Sequence, residues 1–300
     1  MTWWNDFADQ VTCDAPLGTN TWFRLGGRAR YLFRPHSAKT LAPFLRRAGD
    51  VNVDVKVLGR GANVLVADDG FDGVVVRLDS EDFRKVNRRG GRLEVGAGVD
   101  LMPLVRRSSL EGLSGLEALA GIPATIGGAI RMNAGGPAGE MSDVVESISV
   151  LGKDRRIEVL DREGIGFRYR HTELGENDII LRATLQLKED DPRRVSRVFR
   201  EHLARKQRTQ PLAEHSAGCI FKNPALKPAG ALIDQAGLKG ARYGAAEVST
   251  VHANFIVARR GATASDVLHL IDVVRDRVLK VFDTELETEI EIWRPSGHAA

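Results

Sequence analysis

The stretch Gly112–Gly139 reads GLSGLEALAGIPATIGGAIRMNAGGPAG and holds eight of the 31 glycines in the chain. Glycine permits φ > 0 and lets a ligand come close to main-chain N–H groups. Ile122, Ile126, Ile130 and Met132 are set into the run, whereas flexible linkers lack such buried-type residues. Two readings fit the stretch by itself: tight turns between core elements, or a cradle for a ligand. A second glycine motif lies upstream. Val51, Val53, Val55 and Val57 alternate with Asn52, Asp54 and Lys56, a period of two that predicts a strand. It runs into Gly59-Arg60-Gly61-Ala62-Asn63, then into VLVADDG and DGVVVRL, both β-like. A strand feeding G-x-G invites a dinucleotide-binding fold. That reading fails because residue 64 is Val where the third glycine belongs, and because the continuation is β-branched rather than helical. The loop can still offer consecutive N–H groups to a pyrophosphate, with an ordinary tight connection as the alternative.

Composition narrows the class. A chain of 300 residues with 43% hydrophobic content can bury a large core, and its length suits two or three domains. Its 43 basic and 40 acidic residues leave a net charge of +3. That balance argues against a nucleic-acid partner and suits ligands that carry phosphates. Cys13 and Cys219 are the two cysteines, so no disulfide framework is implied and a reducing compartment fits. No apolar run approaches a membrane span. The opening MTWWNDFADQ carries Asp6 and Asp9 and lacks the apolar segment of a signal peptide. A soluble, cytoplasmic protein is expected.

Along the chain, turn chemistry covers 14–21, and a Gly-Gly turn followed by a short strand lies within 20–34. A helix is expected over 37–48, with Ser37 as cap and Leu41, Phe44 and Leu45 on one face. A strand at 92–99 leads to Asp100, which caps a helix through about Leu110. Two strands flank Gly152-Lys153-Asp154, and another covers 179–187. Asp190-Asp191-Pro192 opens a long helix with Val195, Val198, Phe199, His202 and Leu203 on its apolar face and a basic tail, Arg205-Lys206-Gln207-Arg208. A domain boundary is placed at 188–195. Further on come a short helix at 229–236, a strand at 254–258 and a long helix at 263–282, with Thr263 and Asp266 as a capping-box-like pair. A last strand at 285–293 puts Leu286, Thr288, Ile290 and Ile292 on one face and Glu285, Glu287, Glu289 and Glu291 on the other.

The candidates for chemistry are the Cys219 thiol, the Arg170 guanidinium and the strand glutamates. No His/Cys cluster has metal-ligand spacing, since His215 stands alone near Cys219; no metal is expected. Each candidate also has a plain reading: a small buried hydrophobe for the cysteine, packing for Tyr169-Arg170, a solvated strand face for the glutamates. The residues alone support an α/β enzyme or binding protein with a phosphate-friendly glycine region, and do not reach the reaction.

Taken in order, NTWFRLGG, LGRGANVLV, GLSGLEALAGIPATIGGAIRMNAG, FRYRHTEL, AGCIFKNP, ALIDQAGLKG, VSTVHANFIV and LETEIEI resemble the UDP-N-acetylenolpyruvoylglucosamine reductases, flavoenzymes of peptidoglycan precursor synthesis, over nearly the whole chain. The resemblance implies an α+β fold: a vanillyl-alcohol-oxidase/PCMH-type FAD-binding domain of two subdomains (1–85 and 86–190), then a C-terminal α+β substrate-binding domain (191–300). It implies FAD held by Gly59, Arg60, Gly61, Ala62, Asn63 and Val64, and by Gly121, Ile122, Pro123, Thr125, Gly127, Gly128, Asn133, Ala134 and Gly135. NADPH reduces the flavin, which then gives hydride to C3 of an enolpyruvyl group while a proton goes to C2. A cation and a proton-bearing acid nearby stabilise the developing charge; by the resemblance, Arg170 matches the family's arginine and Glu289 its glutamate. Cys219 matches the proton donor by motif position.

Serine is usual where this chain has Cys219. A thiol, with a reference pKa of about 8.5, is mostly protonated at neutral pH and can donate. Asn223 matches a residue that contacts the UDP portion, and Tyr169, Lys206, Arg208, Lys222 and Gln235 are candidates for the same substrate. The segment between Arg170 and Cys219 is short, so the chain resembles the type without a tyrosine-bearing insertion. Ala62 stands where serine is usual in the flavin loop. A monomer serving cell-wall biogenesis, cell shape and division is expected. The rival readings are another FAD oxidoreductase, such as an oxidase, and a non-catalytic nucleotide-sugar-binding protein.

Overall fold

A computed structural model describes residues 2–295. The chain forms two compact units, each drawn from separate stretches. The first comprises Met1–Cys13, Tyr31–Arg60 and Gly73–Arg205; the second comprises Asp14–Arg30, Gly61–Asp72 and Lys206–Ala300.

In the first unit, helix α1 (Ala38–Asp50) buries Leu41, Phe44, Leu45 and Ala48, the face its sequence spacing predicts. Phe44 stacks on Phe33 at 3.6 Å between ring centroids, and Phe7 meets both rings edge-on. The expected strand over 51–57 shortens to Val55–Val57, which pairs in parallel with Val74–Val76. Its first half instead ends the helix: Val53 N–H donates to Ala48 O, and Asn52 turns with φ of 51°. A strand that the sequence did not announce, Val11–Pro16, takes up the first three residues of the expected turns at 14–21.

A five-stranded antiparallel sheet follows, in the order Ile157–Asp161, Val145–Leu151, Ile179–Gln186, Arg92–Gly96 and Val86–Arg89. Ile148 lies opposite Ala183, and Ala183 opposite Val95, so one buried row crosses three strands. Helices α2 (Leu101–Leu110) and α3 (Ile126–Arg131) bury Leu101, Leu104, Val105, Ile126, Ala129 and Ile130 in the same core. Beyond the one-turn helix α4 (Arg162–Ile165) comes α5 (Pro192–Thr209), which buries Val195 and Phe199. Ser196 of α5 donates to Ser109 O at 3.0 Å. This helix starts within the first unit, whose last stretch runs to Arg205. The division into 1–85, 86–190 and 191–300 concerns ligand roles and is taken up below as a proposal.

The second unit packs α6 (Ala229–Gln235) and α7 (Ala264–Phe282) with a three-stranded antiparallel sheet, Arg242–Tyr243, Ala246–Val248 and Ile256–Ala258. Helix α7 buries Val267, Leu270, Ile271, Val274 and Val278, three or four residues apart along one face. Its capping box forms: Thr263 N–H donates to Asp266 at 3.0 Å and Asp266 N–H to the Thr263 hydroxyl at 3.1 Å. A further carboxylate, Asp68, accepts from the amides of Ala264 and Ser265 and from the Ser265 hydroxyl at 2.7–2.9 Å. Burial raises its pKa, but these three donors outweigh burial and hold the carboxyl below its ordinary value. The expected strand at 285–293 forms only at Glu291–Trp293, parallel to Val64–Val66. Leu286 and Ile290 are buried as the alternation predicts, but Trp293 then replaces Ile292 on the inner side. Among the described residues, no helix is long and apolar enough to cross a membrane, and no cluster of His, Cys, Asp or Glu could hold a metal.

Candidate active site

Candidate residues fall in both units, and each set is built separately. In the first unit the two glycine motifs meet. A Cβ at Gly59 would sit 2.5 Å from the Thr125 hydroxyl, so only glycine permits this approach. Asp100 occupies the N-cap position of α2, yet its side chain makes no cap and instead faces Arg60 at 3.6 Å. The amides of Ile122, Ala124, Ile126 and Gly127 donate to the carbonyls of Leu119, Ile122, Val99 and Ala97, and Gly128 N–H donates to the Thr125 hydroxyl. Much of Gly121–Gly128 therefore spends its N–H groups on the fold. Pro123 has no N–H to offer.

Asn133 is fully buried. Its Nδ2 donates to Glu140 at 2.8 Å and to Arg168 O at 3.1 Å, and its Oδ1 accepts from Ser142 N–H at 3.0 Å. The Asn133 side chain is thus engaged within the fold. It pins the 133–142 segment, including Ala134 and Gly135, and that segment holds Arg170. Arg170 lies in the turn of a two-stranded hairpin, Phe167–Arg168 with His171–Thr172, at φ of 54°. Its Nη2 donates to Gly135 O at 2.8 Å and its Nη1 reaches Asn133 O at 3.5 Å. The guanidinium also lies 5.0 Å from the ring centre of half-exposed Tyr169, within cation–π range.

In the second unit, Gly61 has φ of 63°, and a Cβ there would fall 2.6 Å from Asn20 O. The Ala62 carbonyl is 4.0 Å from where a Gly218 Cβ would stand, so the loop at Gly61–Asn63 and the turn before Cys219 are neighbours. Asn63 Nδ2 donates to Glu289 O at 3.1 Å, and Glu291 N–H donates to Asn63 O at 2.9 Å. Val64 begins the strand paired with Glu291–Trp293. Glu289 N–H donates to Ile220 O at 2.7 Å, and Lys222 N–H to Glu287 O at 2.8 Å. Phe221 bridges Thr288 as an antiparallel pair. Cys219 and Glu289 therefore sit on adjoining extended segments. Of the four alternating glutamates, Glu285, Glu287 and Glu291 are exposed and Glu289 is half-buried, as is Cys219.

The substrate candidates are less uniform. Lys222 is ion-paired with Glu287. Asn223 Oδ1 accepts from Ala229 N–H at 3.0 Å and so helps start α6. Gln235 is exposed and bonded to Lys227. Lys206 and Arg208 lie on the last turn of α5, the first half-buried and the second exposed. His215 is exposed. Sequence reasoning missed two buried amide side chains as supports: Asn133, assigned to a ligand, and Asn254 (2% exposed), which sits within the quoted VSTVHANFIV motif. Asn254 N–H donates to His252 Nδ1 at 3.2 Å. Burial, with the Lys239 charge nearby, lowers the His252 pKa and favours the neutral ring that can accept this bond.

Residues 210–293 match the family "UDP-N-acetylenolpyruvoylglucosamine reductase, C-terminal domain", and residues 29–160 match a FAD binding domain family. A UDP-N-acetylenolpyruvoylglucosamine reductase of Moorella thermoacetica is 42% identical over 95% of this chain and 93% of its own length. That of Bacillus subtilis is 36% identical over 94% of each. The crystal structure of the Thermus caldophilus enzyme (MurB) superposes with a TM-score of 0.82 at 38% identity, covering 95% of this chain and 98% of that one. The glycine loops, the Arg170 hairpin and the adjoining Cys219 and Glu289 segments are thus features of a chain that belongs to the UDP-N-acetylenolpyruvoylglucosamine reductase family.

Proposed function

We propose that this chain reduces the enolpyruvyl group of UDP-N-acetylglucosamine enolpyruvate to the lactyl ether of UDP-N-acetylmuramate, with Arg170, Cys219 and Glu289 at the reacting carbons. The single observation that carries the assignment of Cys219 and Glu289 is the 2.7 Å bond from Glu289 N–H to Ile220 O, which registers the carboxylate-bearing segment beside the thiol-bearing one. FAD, when bound, supplies hydride chemistry, with NADPH as source and C3 of the substrate as destination.

Hydride addition at C3 drives negative charge toward the substrate carboxylate. Arg170 answers that charge with a guanidinium already oriented by two main-chain carbonyls, so little reorganisation is needed during reaction. Cys219 gives its proton to C2: the S–H bond breaks, a C–H bond forms, and the thiolate regains a proton from solvent. Glu289, half-withdrawn from water, orients the group receiving that proton.

The chain's residues suit FAD. In this reading the N–H groups of the Gly59–Asn63 loop receive the pyrophosphate, and Arg60, which faces Asp100, adds positive charge. The segment Gly121–Gly135 contributes chiefly shape, since many of its amides are internally bonded. Residues 1–85 and 86–190 form the two FAD subdomains in this reading, and 191–300 the substrate domain. Tyr169, Lys206, Arg208, Lys222, Asn223 and Gln235 bind the nucleotide-sugar. The protein works as a cytoplasmic monomer in the wall synthesis on which cell shape and division depend. Its two-cysteine composition supports a reducing compartment.

Anaerobic stopped-flow spectroscopy tests the assignment. NADPH bleaches the flavin absorbance, and added UDP-N-acetylglucosamine enolpyruvate restores it. In Cys219→Ala the bleaching rate stays within about twofold while the recovery slows by about 10²–10⁴, the usual worth of a positioned general acid. Recovery at the parent rate would remove Cys219 from the mechanism.

A further inference from the structure

We infer that Asn254 is a positioning residue that sets the direction of the Cys219 thiol and the register of Glu289, resting on the reading of Cys219 as proton donor. Asn254 is buried. Its Oδ1 accepts from Phe221 N–H at 3.0 Å, its Nδ2 donates to Phe221 O at 2.8 Å, and its main-chain carbonyl accepts from Ile220 N–H at 2.8 Å. A neighbouring strand normally supplies such a donor–acceptor pair from its backbone. Here one side chain supplies it.

On the opposite side, Ile220 O and Lys222 N–H bond to Glu289 and Glu287. The segment 220–222 is therefore held from two sides, and two of the three bonds on the Asn254 side come from its replaceable side chain. Cys219 is the residue immediately before this clamped segment. It follows Gly218, whose φ of 77° turns the chain. If Ile220 and Phe221 shift, the thiol changes direction and Glu289 loses its register against Ile220. Only an amide fits the role: it must accept from one atom and donate to another of the same residue, at the length of an asparagine side chain. An aspartate keeps the acceptor but sets a carboxylate oxygen against Phe221 O. Alanine supplies neither bond.

The test uses FAD-loaded protein in a Cys13→Ser background, because Cys13 is exposed and would react with the thiol probe. Asn254→Asp and Asn254→Ala are compared with the parent in three readouts. These are flavin reduction by NADPH, flavin reoxidation by the enolpyruvyl substrate, and the rate of Cys219 alkylation by iodoacetamide from about pH 6 to 9. We expect reduction within about twofold of the parent, reoxidation slowed at least about tenfold, and an alkylation profile displaced by at least about threefold. A merely architectural asparagine would lower the melting temperature and leave the alkylation profile in place. The inference is overturned if reoxidation and alkylation both stay within about twofold, if both half-reactions fall in parallel, or if neither variant folds. Cys219→Ala, measured alongside, separates the two levels: parent-like reoxidation there ends the donor reading, while the alkylation data still decide whether Asn254 positions the thiol.

Discussion

Arg170 and Cys219 are placed by opposite means. Arg170 is gripped through its side chain, with carbonyls of Gly135 and Asn133 on its guanidinium and its own backbone in the left-handed turn of a hairpin. Cys219 is placed through its backbone, by the bonds that lock Ile220–Lys222 between Asn254 and the Glu287–Glu289 segment. A gripped side chain is lost wholly when it is replaced. A backbone register survives replacement of the side chain it carries and fails when a neighbour changes. The two regions should therefore respond differently to conservative substitution.

The largest effect is expected at Arg170. In Arg170→Lys the point-like ammonium cannot reproduce a planar fork held by two carbonyls. Substrate-driven flavin reoxidation should fall about 10²-fold, with the melting temperature within about 2 °C of the parent. A loss below about tenfold would show that charge matters and the grip does not. Gly61→Ala probes the backbone-placed region. It demands a left-handed alanine with its Cβ 2.6 Å from Asn20 O, a strain of about 1–3 kcal/mol. Thermal unfolding should shift down by several degrees, and FAD titration should show weaker binding, because Asn63, two residues on, bonds Glu289. Unchanged FAD affinity with lowered stability would separate the flavin loop from the Glu289 segment.

Asp68→Ala is the smallest and serves as the control. It removes a carboxylate from the start of α7 and should cost about 1 kcal/mol in urea unfolding at neutral pH, leaving both half-reactions unaltered. The Asp68 pKa is lower folded than the ordinary 3.8, so the unfolded chain takes up the proton first as pH falls. The stabilisation is complete above that ordinary value and is lost as pH drops below it through the folded pKa. The variant and parent should converge in that acid range. A gap that persists there would mean the loss is packing rather than charge. Slowed catalysis in Asp68→Ala would break the contrast between support of the fold and support of the site.

Much of this was legible in the sequence because it rests on local rules. The apolar spacing of α1 predicts the face it buries. Thr263 and Asp266 announce a capping box that forms. Val64 in place of a third glycine rules out the dinucleotide-binding fold. Motif order places Arg170, Cys219 and Glu289 in one family. Where local rules met competing partners they failed. Asp100 has the right residue type and position for a cap, yet its carboxylate faces Arg60. Asn52 ends a helix by turning, and the alternation of valines around it then reads as a longer strand than forms. Asn133 sits in a glycine-rich motif suited to a ligand, yet burial turns its amide to Glu140, Arg168 and Ser142.

From the sequence came the family, the alternation that sets four glutamates on one strand face, the motif that singles out Glu289 among them, and a cysteine where serine is usual. The tertiary structure alone decided which of those glutamates leaves water. It also decided which carbonyls hold Arg170, and that a buried asparagine from a distant stretch completes the backbone bonds beside Cys219. The reason is that periodicity and motif spacing act over a few residues of chain. A buried hydrogen bond is satisfied by whichever group the fold brings within about 3 Å, however far away it lies in sequence.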